Sequence, residues 1–199
     1  MKRLTLAQEA ELAAKKAMGI PGQIKESEAA FLYRLAKRKG NLVEIGCLFG
    51  RSTSVLVRAG RAFGAELTTV DPFYRTENTD KKSSPEIWQQ HLKDQGLEPP
   101  NLMHMTSHEA AALYDKEISF LFVDGGHGYR TVIEDIADWT PKVKESGIVV
   151  FHDMFMPNIR GVTKAVSEWW LDQFSKNKPL SWRLVGMVDY MIAFRRVES

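Results

Sequence analysis

Two acidic residues in the second half of the chain have the type and position to hold a cation beside a reacting group. Asp124 directly follows the apolar run 118–123, and Asp153 comes soon after the apolar run 148–151. If these runs are neighbouring parallel strands, both carboxylates face one pocket and repel each other unless a cation or protons compensate them. Hard divalent ions such as Mg2+ take oxygen ligands of this kind. We therefore predict a metal site at Asp124 and Asp153; the alternative is that Asp124 orients a cofactor and Asp153 caps a turn.

Two histidines accompany these acids. His127 lies three residues after Asp124, and a histidine near its ordinary pKa suits removal of a proton from a hydroxyl group. His127 is therefore the candidate general base, with bracing of its loop as the alternative. His152 directly precedes Asp153. Because imidazole is a poor ligand for Mg2+ and a good one for zinc or iron, we interpret His152 as lying behind the metal ligands or touching substrate, with direct ligation as the alternative.

A glycine-containing loop in the first half predicts a nucleoside site. One apolar run ends in Glu44 and Gly46, glycine recurs at Gly50, and a second apolar run ends in Asp71. Such a loop lets a ligand approach the backbone of an open parallel sheet, and the acid after the second strand binds ribose hydroxyls. Leu48 stands where a dinucleotide loop has its middle glycine, and Glu44 would repel a pyrophosphate but suit sulfonium and ammonium groups. The loop therefore favours S-adenosylmethionine over NAD.

Strand and helix patterns alternate from about residue 27 onward and predict an α/β fold. Five alternating units and a final hairpin predict a doubly wound, Rossmann-like, seven-stranded sheet that is mostly parallel, with an antiparallel C-terminal edge hairpin. Ser27 is the expected cap of the second helix. We expect strands at 42–45, 66–70, 102–105, 118–123, 148–151, 182–187 and 190–194, and helices at 5–17, 27–36, 52–61, 85–95, 108–114, 130–138 and 159–175.

Composition is that of an ordinary soluble globular protein. The 199 residues are 44% hydrophobic and 26% charged, and the net charge of +2 is too small to imply nucleic acid or an anionic membrane as the main partner. Cys47 is the single cysteine, which excludes an internal disulfide framework and a multi-cysteine zinc site. We see no apolar signal-peptide core and no run long enough to span a membrane. A cytoplasmic enzyme is the expected class.

The order of these motifs resembles class I S-adenosylmethionine-dependent methyltransferases, and within them the small O-methyltransferase branch. That branch includes catechol O-methyltransferase-like enzymes and macrolide-sugar O-methyltransferases with an Asp-Gly-x-His-x-Tyr signature. The resemblance covers roughly residues 27–199, the predicted methyltransferase domain, and leaves residues 1–26 as an N-terminal helical extension. The residues that carry it are Glu44-Ile45-Gly46, Gly50, Ser52, Val70-Asp71, Asp124-Gly125-Gly126-His127-Gly128-Tyr129 and Phe151-His152-Asp153.

The resemblance implies roles for the cofactor-binding residues. Glu44 would hold the methionine amino group, and the loop would be shaped by Gly46, Leu48 and Gly50. Ser52 would assist the methionine carboxylate from a helix N-terminus, a position that favours anions. Asp71 would bind the ribose hydroxyls.

Ser107, Asp124 and His127 complete the implied set. Ser107 would lie next to the adenine ring, and its alternative role is to cap the helix that begins before Glu109. Asp124 would serve both the cofactor and the chemistry. The base at the position of His127 is a lysine in catechol-type relatives and a histidine in the sugar enzymes, whereas the position of His152 holds an acidic metal ligand in the catechol type.

The resulting expectation is an O-methyltransferase that acts on a hydroxylated small molecule with S-adenosylmethionine, assisted by Mg2+ or another divalent cation. A homodimer is one option for its assembly. The rivals are hydroxylase-like chemistry on the same fold, a non-catalytic cofactor-binding module, and RNA methylation, which would require a broad basic surface.

Two further segments have open interpretations. The polar stretch 72–84 follows a strand end and is interpreted either as a mobile lid or as a tolerated surface insertion. A basic helix end, interpreted as a solvated face, is formed by Arg34, Lys37, Arg38 and Lys39.

Overall fold

The computed structural model describes residues 4–74, 83–175 and 180–197, in which helices and strands alternate as predicted. A short 3-10 turn, Thr140–Lys142, precedes the fifth strand. The helices are α1 Leu6–Ala17, α2 Glu26–Ala36, α3 Arg51–Arg61, α4 Pro85–Asp94, α5 Ser107–Leu113, α6 Tyr129–Trp139 and α7 Arg160–Asp172. The strands are β1 Asn41–Ile45, β2 Glu66–Val70, β3 Asn101–Met103, β4 Ile118–Val123, β5 Val143–Phe151, β6 Trp182–Val188 and β7 Met191–Arg196.

The strands form one seven-stranded sheet in the order β3-β2-β1-β4-β5-β7-β6. Strands β1 to β5 are all parallel to one another, whereas β7 is antiparallel to both β5 and β6. The prediction of a doubly wound sheet with an antiparallel C-terminal edge is therefore confirmed. The strand order reverses between β1 and β4, and ligands bind open sheets of this kind at the carboxyl ends of the strands beside such a reversal.

Alternating side chains of the strands fill two cores, one on each face of the sheet. On β4, Phe120 and Phe122 pack with α1, α2 and α3, whereas Leu121 and Val123 pack with α5, α6 and α7. Apart from Ser119, the residues of β4 are apolar because both faces of the strand are covered by helices. Helix α1 contributes four buried alanines to the first core: Ala10, Ala13, Ala14 and Ala17.

Helix α2 begins earlier than predicted, and Ser27 is not its cap. Lys25 is the N-cap residue, and the Glu28 carboxylate accepts a hydrogen bond from the Lys25 backbone N–H at 2.7 Å. The Ser27 hydroxyl instead donates to Asp189 in the turn between β6 and β7. The cap prediction failed because an acid three residues into the helix performs the capping that was assigned to the hydroxyl.

The basic helix end is only partly a solvated face. Arg34 and Lys39 are exposed, but Lys37 pairs with Glu9, and the Arg38 guanidinium donates to the backbone carbonyls of Leu35 and Ser119. Ser119 lies at the start of β4, so this basic group is at the amino edge of the sheet, opposite the strand ends where the predicted site lies.

Two further expectations concern particular segments. Strand β5 begins at Val143 instead of residue 148, because the polar stretch after Val143 continues the strand across a register shift. Of the predicted lid, residues 75–82 lie outside the described residues. In the part of the chain that is described, no helix has both the length and the apolar character needed to cross a membrane.

Candidate active site

Backbone hydrogen bonds continue the sheet past the last strand residues and bring the predicted site residues to one edge. Gly46 N–H donates to the Val70 carbonyl at 2.8 Å, and Asp124 N–H donates to the Ile45 carbonyl at 2.8 Å. His152 N–H donates to the Val123 carbonyl at 3.1 Å. The residues that follow β1, β2, β4 and β5 are therefore held in fixed register at the carboxyl edge of the sheet.

The loop after β1 requires glycine where it passes the chain after β4. Gly46 has φ +83°, and a Cβ atom there would lie 2.1 Å from the Asp124 carbonyl oxygen. Leu48 also has a positive φ, of 49°, and Gly50, with φ +94°, precedes the first turn of α3. The predicted loop residues thus share a left-handed backbone path, and the loop lies directly against Asp124.

Asp71 braces this loop with both of its carboxylate oxygens. Oδ2 accepts hydrogen bonds from the backbone N–H groups of Cys47 at 2.8 Å and Leu48 at 3.0 Å. Oδ1 accepts one from Phe73 N–H at 2.7 Å. A carboxylate oxygen has further lone pairs, so Asp71 can bind ribose hydroxyls, as proposed from the sequence, while it holds the loop in shape.

Glu44 is a buried acid with one unsatisfied oxygen. Its Oε2 accepts hydrogen bonds from the Thr53 hydroxyl at 2.6 Å and the Thr69 hydroxyl at 3.2 Å. Its Oε1 is buried and has no hydrogen-bond partner among the described residues. Burial raises the pKa of Glu44 to about 8, although the hydroxyls of Ser52, Thr53 and Thr69 oppose the shift. A cationic group at Oε1 would satisfy this oxygen, so the residue fits an ammonium group better than an anionic phosphate.

Ser107 is not a helix cap. Thr106 caps α5, in a reciprocal capping box with Glu109, and Ser107 is the first residue of the helix. The Ser107 hydroxyl accepts a hydrogen bond from the Trp139 indole N–H at 2.8 Å. A cavity of about 660 Å³ opens beside this helix and the loop after β2, and its wall includes Pro72 and Met105.

The predicted chemistry residues converge after β4 and β5. His152 Nδ1 lies 3.0 Å from Asp124 Oδ1 and 3.2 Å from Asp153 Oδ1, and its Nε2 lies 3.4 Å from Glu28 Oε2. His127 Nε2 lies 2.9 Å from Asp153 Oδ2. The His127 side chain is 42% exposed, whereas that of Asp153 is 2% exposed. His127 is therefore open to a ligand, and the carboxylate that holds it is fixed inside the protein.

The charges of this cluster shift one another's pKa values. Burial alone would lower the pKa of His152, but Asp124, Asp153 and Glu28 raise it well above its ordinary value. Burial raises the pKa of Asp124, and His152 opposes that shift. The hydrogen bond to Asp153 raises the pKa of His127, against the effect of burial. Despite its own burial, Asp153 has a pKa held below the usual range by the two histidines.

The donor set fits a divalent cation. The ligand atoms of Asp124, His152 and Asp153 lie within 4.8 Å of one another. Neighbouring ligands about 2.1 Å from one ion are about 3 Å apart, close to the two distances from His152 Nδ1. Asp153 Oδ1 is buried without a hydrogen-bond partner among the described residues, since the nearby His152 ring is aligned with Asp124 instead. An orphaned carboxylate oxygen beside two further donors is what a bound cation would satisfy.

Glu28 is the site residue that sequence reasoning missed. It is fully buried, and its Oε1 accepts a hydrogen bond from Tyr190 N–H at 3.0 Å. Its position in the first turn of α2 indicates a capping acid, and that is the only signal in the sequence. The contact with His152 spans 124 positions of the chain, so nothing local could have revealed it.

Cys47 is buried, and burial raises the pKa of its thiol. A thiol that stays protonated is a poor nucleophile. The loop thus contributes backbone geometry to the site and no nucleophile.

Comparison with known proteins places this site in a family. A family model described as a methyltransferase domain matches residues 43–154, which span the glycine loop, Asp71, Asp124, His127, His152 and Asp153. This segment is more than half of the chain and contains all of the strand-end motifs except those of the final hairpin.

Solved structures resemble the whole chain. The O-methyltransferase NovP matches with a TM-score of 0.72 at 14% identity, over 97% of this chain and 98% of that one. An O-methyltransferase from Bacillus cereus in complex with SAH matches with a TM-score of 0.64 at 14% identity, over 100% of this chain and 93% of that one. An rRNA methylase from Streptococcus thermophilus matches with a TM-score of 0.60 at 14% identity, over 89% of this chain and 100% of that one. At such identities the likeness shows a common fold and leaves the acceptor open.

Proposed function

The chain belongs to the methyltransferase-domain family, and we propose that this S-adenosylmethionine-dependent methyltransferase methylates a hydroxyl group of a small molecule. The observation that carries the proposal is the pair formed by His127 and Asp153, 2.9 Å apart at the sheet edge that also holds the glycine loop. Transfer to oxygen requires removal of a proton from the acceptor, and an exposed histidine held by a buried carboxylate can perform that step.

The cofactor side of the site is proposed to be built as follows. Glu44 Oε1 accepts the methionine ammonium group, and the first turn of α3, with Ser52, receives the methionine carboxylate. Asp71 binds the ribose hydroxyls. Ser107 lies beside the adenine ring at the start of α5, and its neighbour Thr106 lines the cavity of about 660 Å³ beside that helix. Bound S-adenosylmethionine supplies a methyl group on a sulfonium, which is transferred to the acceptor oxygen by in-line displacement.

His127 is proposed as the general base. In the neutral ring, Nε2–H donates to Asp153 Oδ2, which leaves the lone pair of Nδ1 as the proton acceptor. Asp153 thereby fixes both the tautomer and the orientation of the ring. Asp153 also stabilises the imidazolium that forms when the proton arrives, which raises the pKa of His127 and makes it a stronger base.

Asp124 and Asp153 are proposed to hold a divalent cation with His152 beside them. Such a cation would orient the acceptor and make its hydroxyl more acidic. Asp153 has one oxygen for orienting the base and one for binding the cation, since Oδ2 contacts His127 and Oδ1 lies on the side of His152.

The charge distribution supports a small acceptor over RNA. RNA binding draws its affinity from a basic surface that contacts phosphates. The basic group at Arg34, Lys37, Arg38 and Lys39 lies at the amino edge of the sheet, and two of its members are engaged within the protein. The acceptor side of the site is instead rich in carboxylates. A cytoplasmic location and a homodimer remain part of the proposal as expected from the sequence.

The test couples binding with transfer. We expect calorimetry to give micromolar affinity for S-adenosylmethionine, and labelled cofactor to pass its methyl group to members of a panel of sugars, phenols and polyketides. Matched acceptors that lack the hydroxyl should stay unlabelled, and RNA serves as the competing substrate. Absence of cofactor binding, or labelling of RNA in preference to every small acceptor, would contradict the proposal. Binding without transfer to any acceptor class would favour a non-catalytic module instead.

A further inference from the structure

His152 is enclosed by carboxylates from three separate parts of the chain. Asp124 and Asp153 face Nδ1 from the ends of β4 and β5, at 3.0 and 3.2 Å, and Glu28 faces Nε2 from α2, at 3.4 Å. The ring is 4% exposed. His152 therefore contacts Asp124 and Asp153 directly and has little exposed surface that a substrate could touch.

One ring nitrogen cannot satisfy both acids on its side. Nδ1 carries at most one hydrogen, and its hydrogen-bond geometry is with Asp124, so Asp153 Oδ1 stays buried and unpartnered among the described residues. A cation placed among the three donor atoms would satisfy all of them at once. The ring would then act as a ligand through Nδ1, and its remaining hydrogen would be on Nε2, toward Glu28.

Glu28 is held in place by two backbone groups and can therefore orient the His152 ring. Its two oxygens accept hydrogen bonds from the backbone N–H groups of Lys25 at 2.7 Å and Tyr190 at 3.0 Å, which belong to the start of α2 and to the β6–β7 turn. A metal-bound histidine characteristically donates its second ring N–H to a carboxylate, which sets the tautomer and raises the basicity of the ligand. In the same way, His152 lies between the carboxylate of Glu28 on one side and the two aspartates that would share the cation on the other.

We propose that His152 ligates the cation together with Asp124 and Asp153, that Glu28 is its positioning residue, and that this pair makes the site prefer an imidazole-binding divalent ion to Mg2+. Ions such as Co2+ and Zn2+ bind imidazole well, whereas Mg2+ favours oxygen ligands and retains its water. The inference deepens the proposed function, on which it rests for placing the cation beside the acceptor, but it is tested by metal binding alone.

The first experiment titrates the metal-free full-length protein with Co2+ and with Mg2+ in the absence of cofactor. We expect one Co2+ per chain, bound at least about 10-fold more tightly than Mg2+, with a visible absorption spectrum that differs from that of hydrated Co2+ and changes when His152 is replaced. His152→Asp replaces the imidazole by an oxygen donor. It should weaken Co2+ binding by about 10–100-fold while leaving Mg2+ binding unchanged or tighter.

The second experiment separates positioning from structure at Glu28. Glu28→Gln should weaken Co2+ binding by about 10–100-fold and leave Mg2+ binding within about 3-fold; a merely structural role would weaken both ions equally. Thermal denaturation in EDTA checks that the variant is folded. The matched control is His108→Gln, since His108 is an exposed histidine paired with Asp138 at 2.8 Å, and it should leave both affinities unchanged.

Three outcomes would overturn the inference: binding of Mg2+ as tight as that of Co2+, equal weakening of both ions in Glu28→Gln, or no binding of either ion. In the last case the cation of the site is the imidazolium of His152 itself. Cofactor affinity measured in EDTA reports on the proposed function separately, because the cofactor contacts proposed above do not include Glu28 or His152.

Discussion

The two halves of the site are stabilised by different interactions. In the half that is proposed to bind the cofactor (the cofactor half), backbone groups make most of the contacts: three N–H groups donate to Asp71, and the Gly46 backbone lies against that of Asp124. In the half that contains His127 and His152, side-chain charges make them, and each histidine is held by carboxylates. The first half is therefore defined by the conformation of the backbone, and the second by interactions between charged side chains.

This difference has consequences for how each half responds to change. A backbone-defined shape is sensitive to added volume and insensitive to pH, because peptide groups do not titrate. A cluster of three carboxylates and two imidazoles responds to protons, to cations and to the loss of any one member. Substitutions that add a methyl group should therefore damage the first half most, and substitutions that remove a charge should damage the second.

The largest expected effect is that of Gly46→Ala. The new Cβ would lie 2.1 Å from the Asp124 carbonyl oxygen, so the loop and the chain after β4 must separate. We expect no measurable binding of S-adenosylmethionine by calorimetry and a marked fall in melting temperature.

Gly64→Ala is the control that isolates this contact. Gly64 also has a positive φ, of +61°, but nothing lies within 4 Å of the position that its Cβ would take. The strain of a left-handed alanine costs about 1–2 kcal/mol, or a few degrees in melting temperature, and cofactor affinity should be unchanged. Equal losses of affinity in both variants would show that backbone strain, and not the approach to Asp124, determines the shape of the loop.

The same division explains how much the sequence could predict. The cofactor half is formed by segments whose identity is local: a glycine after an apolar strand, a second glycine four residues later, and an acid after the next strand. Each of these has a fixed place in an open parallel sheet. The meeting of Asp71, Asp124 and Asp153 at the carboxyl edge follows from their places after parallel strands, and the antiparallel edge follows from the final hairpin pattern, whereas the order of the strands was not predicted.

The charge-defined half could be predicted only in part. That Asp124, His127 and Asp153 lie near one another follows from the strand ends, but the contact between His152 and Glu28 depends on how α2 and the β6–β7 turn pack. Helix-cap rules misplaced the cap of α2, because Ser27 stands next to Glu28, and the alternative role of Ser107 as a cap is filled by its neighbour Thr106. Neighbouring hydroxyl and acidic residues compete for the same role, and tertiary contacts decide between them.

The second prediction concerns the charge-defined half. His127→Ala should lower turnover by about 10²–10⁴-fold, as expected for loss of a general base, with cofactor affinity near that of the wild type. The wild-type rate should fall toward acid pH, because a protonated imidazole cannot accept a proton, and the variant should lose this dependence. Steady-state rates across pH, together with calorimetry, measure both effects.

His108→Ala is the matched control, because His108 is exposed and also pairs with a carboxylate, that of Asp138. Its rate and pH profile should equal those of the wild type. A His127→Ala variant that keeps the wild-type profile would assign the proton transfer to another group and leave His127 a bracing role.

The smallest expected effect tests Glu44, the fully buried acid of the cofactor half. Burial raises the pKa of Glu44 to about 8, so at pH 7 about 0.9 of its carboxyls are protonated before binding. A bound ammonium favours the carboxylate, and binding should therefore release close to one proton. Cofactor affinity should rise by about 10-fold per pH unit below pH 8 and level off above it.

Calorimetry in buffers of different ionisation enthalpy counts this proton, and Glu44→Gln supplies the control, because an amide has no proton to release. A wild-type protein that releases none would mean that Glu44 is ionised before the cofactor arrives, or that its Oε1 does not face the ammonium group. Release of a proton would instead show that the buried Glu44 carboxyl ionises when the cofactor binds. Cofactor binding itself would then respond to pH through a residue that lies outside the histidine cluster, and the two halves of the site would differ in how strongly they respond to pH and not in whether they respond.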